Sequence, residues 1–221
     1  MEQNFCRSCA DCATKSCSRM DGRNPPFCLT TNLDEDLLQE AMDCYQDPQV
    51  RLVSQASAQV EADYYCQMTR IEEIMEFARR IGAKKLGIAT CVGTLPEARI
   101  AARVFRHAGF EVYGAACKVG AQPKVSIGIP AYCESVGVNM CNPILQAKLL
   151  NHQRTDLNVV IGLCVGHDSL FYRYSEALVT TLITKDRVLG HNPAAALYQA
   201  DTYYAQKLVP QQQPPADQAN P

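Results

Sequence analysis

Four short apolar runs separated by helical patterns constrain the fold of this chain more than any other feature. Their compositions predict buried strands at 84–91, 111–117, 157–164 and 177–184. The helix after the first strand is expected to open with a capping box of Thr94 and Glu97, and a later helix has Asn142 as its cap and Pro143 at its first position. Strands that alternate with helices predict an α/β domain with a mostly parallel sheet and helices on both faces.

Composition and spacing divide the chain into four predicted parts. Residues 1–30 are rich in cysteine and have no apolar period, so we expect a small metal-binding segment that could not fold by itself. Residues 31–82 have apolar side chains at helical spacing and predict a helical region. The α/β domain follows over 83–208 and closes with a helix near its end, and the proline- and glutamine-rich residues 209–221 predict a disordered tail.

The charge balance and the cysteine count restrict the function classes. The 21 basic and 23 acidic residues leave a formal net charge of −2, so no strong field favours nucleic acid or an anionic membrane. There is neither a signal-peptide pattern nor an apolar stretch approaching the roughly 18 residues of a spanning helix, and we therefore expect a cytoplasmic protein. In a reducing compartment the 12 cysteines indicate metal or redox chemistry rather than disulfides. Cys44 and Cys66 lie inside helical patterns and are assigned to packing.

Three predicted strands end in a cysteine, and a fourth cysteine precedes a helix. These residues are Cys91, Cys117, Cys164 and, before the helix, Cys141. Because the carboxyl ends of parallel strands meet at one edge of a sheet, where ligands gather, we expect the four thiols to converge there and to bind a metal or cofactor. The alternative is that cysteine, a small hydrophobic residue, only fills space in the core. Cys133, in the irregular stretch nearby, is a candidate fifth member.

His167 and Asp168 are the candidate catalytic residues at the same edge. His167 follows Cys164 by three residues at a predicted strand-to-helix turn, where an imidazole could bind metal or move protons. The alternative is that Asp168 is a simple N-cap and that His167 is its solvated neighbour. The charged sequence KDR at 185–187 is expected to be a solvated loop.

The opening segment contains two overlapping cysteine spacings. Cys9, Cys12, Cys17 and Cys28 form a compact four-thiolate set of the kind that binds a structural zinc ion and thereby folds its segment. The triplet Cys6-x2-Cys9-x2-Cys12 instead copies the first three ligands of bacterial ferredoxins, although the next cysteine follows after four residues rather than three. A third interpretation is an unstructured, redox-sensitive tail. The spacing predicts metal binding and leaves the identity of the metal open.

Several motifs, taken in order, resemble a known family: CADCATKSC with Cys28, ATCVG, AACK, CNPILQAKLLN, GLCVGHDSLF and KDRVLGHNP. This family is bacterial and archaeal, uncharacterised, and labelled metal-binding, domain of unknown function 1847, and the likeness covers roughly residues 9–200. The resemblance implies metal binding through the four cysteines from Cys9 to Cys28 and a cysteine-lined centre in the α/β domain. Cys6 lies outside the family pattern. The family implies no reaction.

Three functions fit these residues, and the question of catalysis stays open. The leading one is a cytosolic iron–sulfur protein with a 4Fe–4S cluster at the core cysteines and zinc or a second cluster at the N-terminal motif, acting in electron transfer or in redox or Lewis-acid chemistry. The second is a zinc-stabilised module that binds a small molecule without catalysis. The third is a thiol-redox enzyme using a pair such as Cys141 and Cys164. We expect a small-molecule substrate or a redox partner protein as partner, and neither nucleic acid nor membrane.

Overall fold

The structure, a computed structural model, describes residues 7–19 and 21–210. Its helices are α1 (Glu35–Cys44), α2 (Pro48–Asp63), α3 (Arg70–Arg80), α4 (Leu95–His107), α5 (Pro143–His152), α6 (His167–Tyr174), α7 (Ala194–Leu197) and α8 (Ala205–Leu208). Its strands are β1 (Lys85–Thr90), β2 (Glu111–Ala116), β3 (Leu157–Ile161) and β4 (Leu178–Ile183). Two compact units divide within α2, between Ala58 and Gln59. Cys6 and, from residue 211 onward, the predicted tail lie outside the described residues.

All four strands are parallel and lie in the order β2-β1-β3-β4. Alternate residues of a strand point to opposite faces of the sheet. On one face, Ile88 and Val159 pack with Phe105 of α4 and with α3. On the other face, Val160 packs with Leu150 of α5 and with α6. The predicted α/β class, with a parallel sheet and helices on both faces, is confirmed.

The strand order reverses between β1 and β3. From β1 the chain passes through α4 to β2, and it returns through α5 to β3 on the other side of β1. Because α4 packs on one face of the sheet and α5 and α6 pack on the other, the connections after β1 and β3 separate at the carboxyl edge. Such a switch point is where open parallel sheets bind their ligands.

The third strand ends earlier than its apolar run predicts, at Ile161 rather than at Cys164. Gly162 adopts φ +65°, and a Cβ at this position would lie 2.6 Å from Cγ2 of Thr94, so only glycine fits. The turn places Leu163 in the core and Cys164 three residues beyond the strand. The other three strands each end one residue before the predicted end.

Two predictions about helices are wrong. Thr94 precedes α4 as expected, but its side chain makes no capping bond. Its Oγ1 donates to the carbonyl of Ile161 at 3.0 Å instead, because Thr94 is buried between β1 and β3. The predicted closing helix is replaced by two four-residue helices, α7 and α8, in which no residue is buried. Without packing, helix propagation over that length does not offset the cost of nucleation.

The first unit contains a helix with an exposed apolar stripe. α1 begins after Asp34, whose carboxylate accepts hydrogen bonds from two backbone N–H groups of the first turn. None of its residues is buried, and its apolar residues Leu37 and Met42 are exposed. Cys44 in α1 and Cys66, in a turn with φ +57°, are exposed as well, so their assignment to packing is wrong. No helix within the described ranges is long and apolar enough to cross a membrane.

Candidate functional site

The turn after β1 directs backbone N–H groups at two sulfur atoms. Cys91 lies one residue beyond β1, where its own N–H donates to the carbonyl of Ile161 at 3.2 Å. The N–H of Gly93 donates to Sγ of Cys91, and the N–H of Val92 donates to Sγ of Cys117, each at 3.4 Å. Hydrogen bonds to sulfur favour thiolate over thiol, so this turn stabilises negative charge.

The next two cysteines lie just after the end of β2 and just before the start of α5. The N–H of Cys117 donates to the carbonyl of Thr90 at 2.8 Å, and the carbonyl of Cys117 accepts from the N–H of Asn142 at 2.7 Å. Asn142 also caps α5, as predicted, because its side chain accepts from the N–H of Leu145 at 2.9 Å. Cys141, directly before this cap, is therefore fixed next to the end of β2.

A buried glutamine connects the same backbone segments. The side-chain amide of Gln146 in α5 is fully buried and donates to the carbonyls of Thr90 at 3.0 Å and Ala115 at 2.7 Å. These carbonyls lie directly before Cys91 and two residues before Cys117. Gln146 thereby fixes the ends of β1 and β2 relative to each other. The sequence does not point to Gln146, because a glutamine within a helix ordinarily faces solvent.

The structure brings three of the four predicted core thiols together and adds an imidazole. Cys117 interacts with both Cys91 and Cys141, and Cys141 interacts in turn with His167 at the start of α6. Cys91 and Cys117 are 8% and 2% exposed, whereas Cys141 and His167 are half-buried. The cluster therefore reaches solvent on the side of Cys141 and His167.

Negative charge is favoured on the two outer thiols of this cluster. The pKa of Cys91 is lowered to about 5, first by its interaction with Cys117 and also by the N–H of Gly93. The pKa of Cys141 is lowered to about 4, first by Cys117 and then by His167. Interaction with Cys141 and Cys91 raises the pKa of the central Cys117, which keeps its proton. Cys141 in turn raises the pKa of His167, so negative charge on the sulfur and positive charge on the imidazole favour each other.

The remaining predicted residues of the edge have other neighbours. Sγ of Cys164 accepts a hydrogen bond from Nη2 of Arg187 at 2.9 Å. Asp168 is half-buried, and its Oδ1 accepts from the next backbone N–H at 2.8 Å. Cys133 is half-buried in the irregular stretch between β2 and α5. The roles expected of Cys164, Asp168 and Cys133 therefore stay predictions.

The charged residues 185–187 form a loop with Arg187 exposed, as expected, and this loop lies at the cysteine edge. Besides the contact between Arg187 and Cys164, Nζ of Lys185 lies 3.4 Å from the position that a Cβ on Gly93 would occupy. These residues directly follow β4. The rule that ligands gather beyond the carboxyl ends of parallel strands, applied to β4, would have identified them.

The four N-terminal cysteines line one small cavity. Its volume is about 30 Å³, and Cys9, Cys12, Cys17 and Cys28 all line it. The first three cysteines lie in or directly after two short turns, Cys9–Asp11 and Ser16–Ser18. The backbone of Thr31 lowers the pKa of Cys28. A cavity of this size has room for about one water molecule or ion.

Neither cluster has the arrangement of a closed coordination sphere. Among residues 7–19 and 21–210, no three histidine, cysteine, aspartate or glutamate side chains are placed as ligands of one ion. In the core cluster the sulfur atoms accept bonds from backbone N–H groups, and in the N-terminal cluster Sγ of Cys12 points to the carbonyl of Thr14 at 3.7 Å. Coordination at either place therefore requires side-chain rotation.

Comparison with known proteins gives a family and one close relative. The family model described as "Protein of unknown function (DUF1847)" matches residues 28–182. The chain is also 43% identical over 188 residues to "Uncharacterized protein MJ0455" of Methanocaldococcus jannaschii, an alignment that covers 84% of this chain and 95% of that protein. The core cysteines and Cys28 lie within the matched range of the family, whereas Cys9, Cys12 and Cys17 precede it.

Proposed function

We propose that this chain, which belongs to the DUF1847 family, holds a thiolate-bound metal centre at the carboxyl edge of its sheet. The ligands are Cys91, Cys117, Cys141 and His167, and the centre is an iron–sulfur cluster or a zinc ion. The observation that carries the proposal is the meeting of three thiols and one imidazole, contributed by four separate segments, at the place where a parallel sheet binds ligands.

The chemistry of these side chains suits soft metals. Thiolates select zinc, copper(I) and iron–sulfur clusters, and imidazole suits zinc and iron, whereas magnesium and calcium prefer oxygen ligands. Three sulfurs and one nitrogen match the Cys₃His set of tetrahedral zinc sites. The N–H groups of Val92 and Gly93 supply the hydrogen bonds to sulfur that tune iron–sulfur sites. When bound, a cluster supplies an electron carrier and zinc supplies a Lewis acid.

The fourth ligand that we propose differs from the one that the cysteines in the sequence predict. Cys164 is the predicted fourth thiolate, but its sulfur is engaged by Arg187. His167 already contacts Cys141. We therefore assign the fourth position to the imidazole of His167, with Cys164 as the alternative ligand if Arg187 moves away.

We also propose a structural zinc ion at the N-terminal motif. Cys9, Cys12, Cys17 and Cys28 face the same cavity, and that cavity is the size of a single ion. Two short turns position the first three thiols. Ser16 is the one residue of these turns that is buried. A segment with so little buried surface needs the free energy of metal binding to stay folded.

Anaerobic purification followed by zinc, iron and acid-labile sulfide analysis tests both sites. Replacing the central thiol, Cys117→Ser, should remove the core metal and leave the N-terminal zinc in place. The matched control is Cys66→Ser, since Cys66 is exposed and belongs to the same unit as the core cysteines. His167→Ala should change the absorption spectrum of an iron–sulfur form, while Cys164→Ala should not. Equal metal content in wild type, Cys117→Ser and Cys66→Ser would exclude the core centre.

A second candidate function, thiol-disulfide exchange, is favoured by the pair of Cys141 and His167. The Cys141 thiolate would attack one sulfur of a substrate disulfide, and the departing thiolate would take a proton from His167. The thiol of Cys117 would then attack Sγ of Cys141 and break the mixed disulfide, and its proton would pass to the departing second substrate thiolate, which leaves as a thiol. The substrate is reduced to two thiols, and Cys117 and Cys141 are oxidised to a disulfide. Trapping of a mixed disulfide on Cys141 in the Cys117→Ser variant would support this function over the metal centre.

A further inference from the structure

Basic side chains gather at the cysteine edge without carboxylate partners. Within the described part of the chain, the ion pairs involve Arg70, Arg79 and Arg80, all on α3. Lys185 and Arg187, which follow β4, have no such partner there. Both side chains therefore stay available to an anion that binds at this edge.

The acidic residue between the two cations does not provide that counter-charge. Oδ1 of Asp186 accepts from the N–H groups of Val188 and Leu189, each at 2.8 Å, so the carboxylate caps the following turn. The N–H of Asp186 donates to Nδ1 of His191 at 3.2 Å, which fixes the base of the segment. The backbone from Asp186 onward is therefore held, and the two cationic side chains project from a defined position.

Each cation lies next to a different cysteine. Nζ of Lys185 is 3.4 Å from the position of a Cβ on Gly93, and the same position is 3.9 Å from Sγ of Cys91. The ammonium of Lys185 and the sulfur of Cys91 thus lie on the same side of Gly93. Nη2 of Arg187 is 2.9 Å from Sγ of Cys164. Lys185 therefore lies near Cys91 of the thiol cluster, and Arg187 lies beside Cys164 in the turn after β3.

Both cations retain unused hydrogen-bond donors. A guanidinium has five N–H donors and an ammonium has three. Arg187, which is exposed, uses one donor on a sulfur, a weak acceptor. Nζ of Lys185 has no hydrogen-bond partner in the part of the chain that the structure describes. Arginine with its planar fork and lysine with its point charge are the side chains that bind carboxylates and phosphates.

We propose that Lys185 and Arg187 form an oxyanion site beside the thiol cluster, and that the ligand of this edge carries a carboxylate or a phosphate. The proposal rests on the proposed function, because it names the class of ligand that the metal centre meets. In the ligand-free arrangement Arg187 contacts Cys164. An oxyanion, a stronger acceptor than sulfur, takes over that guanidinium and adds the ammonium of Lys185.

Titration calorimetry of the full-length, metal-loaded protein at low ionic strength tests this site with inorganic phosphate and, separately, with acetate. Saturable binding of phosphate alone, acetate alone or both identifies which oxyanion the site prefers. Arg187→Ala and Lys185→Ala should each weaken binding by about tenfold or more, the loss expected for one charge-assisted hydrogen bond. Arg173→Ala, an exposed position on α6 with the same change of charge, should change the affinity by less than about twofold, since exposed charges contribute little.

Metal analysis of the same samples keeps the two proposals separate. Wild-type protein that holds no core metal would contradict the proposed function, whatever the anion result. Metal-loaded wild-type protein that binds neither anion would overturn the oxyanion site alone. Equal weakening by Arg187→Ala and Arg173→Ala would overturn it too, because the effect would then come from net charge rather than from a site.

Discussion

Replacing Gln146 by leucine tests whether the cysteine cluster depends on a buried amide. The Gln146 side chain donates to Thr90 at 3.0 Å and to Ala115 at 2.7 Å, and these carbonyls precede Cys91 and Cys117. Leucine has a similar volume and no donor, so Gln146→Leu removes both hydrogen bonds and leaves the packing of α5 nearly intact. We expect a modest loss of stability and a larger loss of metal.

The expected loss of stability follows from the hydrogen bonds that the Gln146 amide nitrogen donates and from the unpaired amide oxygen. Two neutral hydrogen bonds contribute about 1–3 kcal/mol to the free energy of unfolding. Oε1 of Gln146 has no partner among the described residues, so its removal relieves an unpaired buried acceptor and offsets about 1 kcal/mol of that loss. The carbonyl of Thr90 also keeps its bond from the N–H of Cys117 at 2.8 Å. The net loss should be about 0–2 kcal/mol.

Leu150→Ala is the matched control, because Leu150 is also fully buried in α5 and packs in the same hydrophobic cluster as Cys91 and Cys117. Its side chain has no hydrogen-bond donor, and a buried Leu→Ala change costs about 2–5 kcal/mol. Urea unfolding measures both stabilities, and competition with a chelator measures the rate of metal loss. Gln146→Leu should release the core metal faster than Leu150→Ala despite its smaller loss of stability. If metal loss follows stability alone across the two variants, the positioning role of Gln146 is refuted.

Three further predictions concern the strand turn, the N-terminal motif and the thiolate pair. Gly162→Ala should lower the free energy of unfolding in urea by more than about 1–2 kcal/mol, the cost of a positive φ for an L-residue, because its Cβ would also lie 2.6 Å from a side-chain carbon of the β1 turn. Cys12→Ser should remove one equivalent of zinc and speed proteolysis before residue 30, whereas Cys44→Ser, an exposed control, should do neither. In metal-free, reduced protein the lowered pKa of Cys141, set by Cys117 and then by His167, keeps its thiolate at pH 6. The alkylation rate of Cys141, measured by peptide mass spectrometry, should therefore change little between pH 6 and 8, whereas the rate of an ordinary thiol rises on the order of 100-fold. His167→Ala should restore part of that rise. A rise of the ordinary size in the wild type would contradict the interaction of Cys141 with His167.

The positions of Cys91 and Cys117 could be predicted because they depend on local pattern and on one general rule. Each follows a short run of apolar residues that forms a buried strand, and a parallel sheet brings the carboxyl ends of its strands to one edge. Cys141 could be placed for a similar reason, since the sequence Asn-Pro after it marks the start of a helix. The contact between Cys141 and His167 depends on the meeting of two separate turns, which no local pattern encodes.

The interpretation of 157–164 as a single strand shows where local pattern is insufficient. The run LNVVIGLC is apolar throughout, and a glycine within such a run is compatible with a continuing strand or with a bulge. The side chain of Thr94, from the turn after β1, occupies the space that a Cβ at Gly162 would need. A contact between residues distant in sequence therefore ends β3, and Cys164, in the turn that follows, contacts Arg187.

Thr94 also determines where a ligand can lie at this edge. Its hydroxyl is fully buried and lies 3.0 Å from the carbonyl of Ile161 and 3.2 Å from that of Cys91, so it fills the gap between the ends of β1 and β3. The proposed ligand is therefore expected beyond Thr94, between the thiols that follow β1 and β2 and the cations that follow β4. Because soft donors and cations come from different strands, removal of Lys185 leaves the backbone of the thiol cluster intact. The Lys185→Ala variant should accordingly lose anion affinity while it retains its metal.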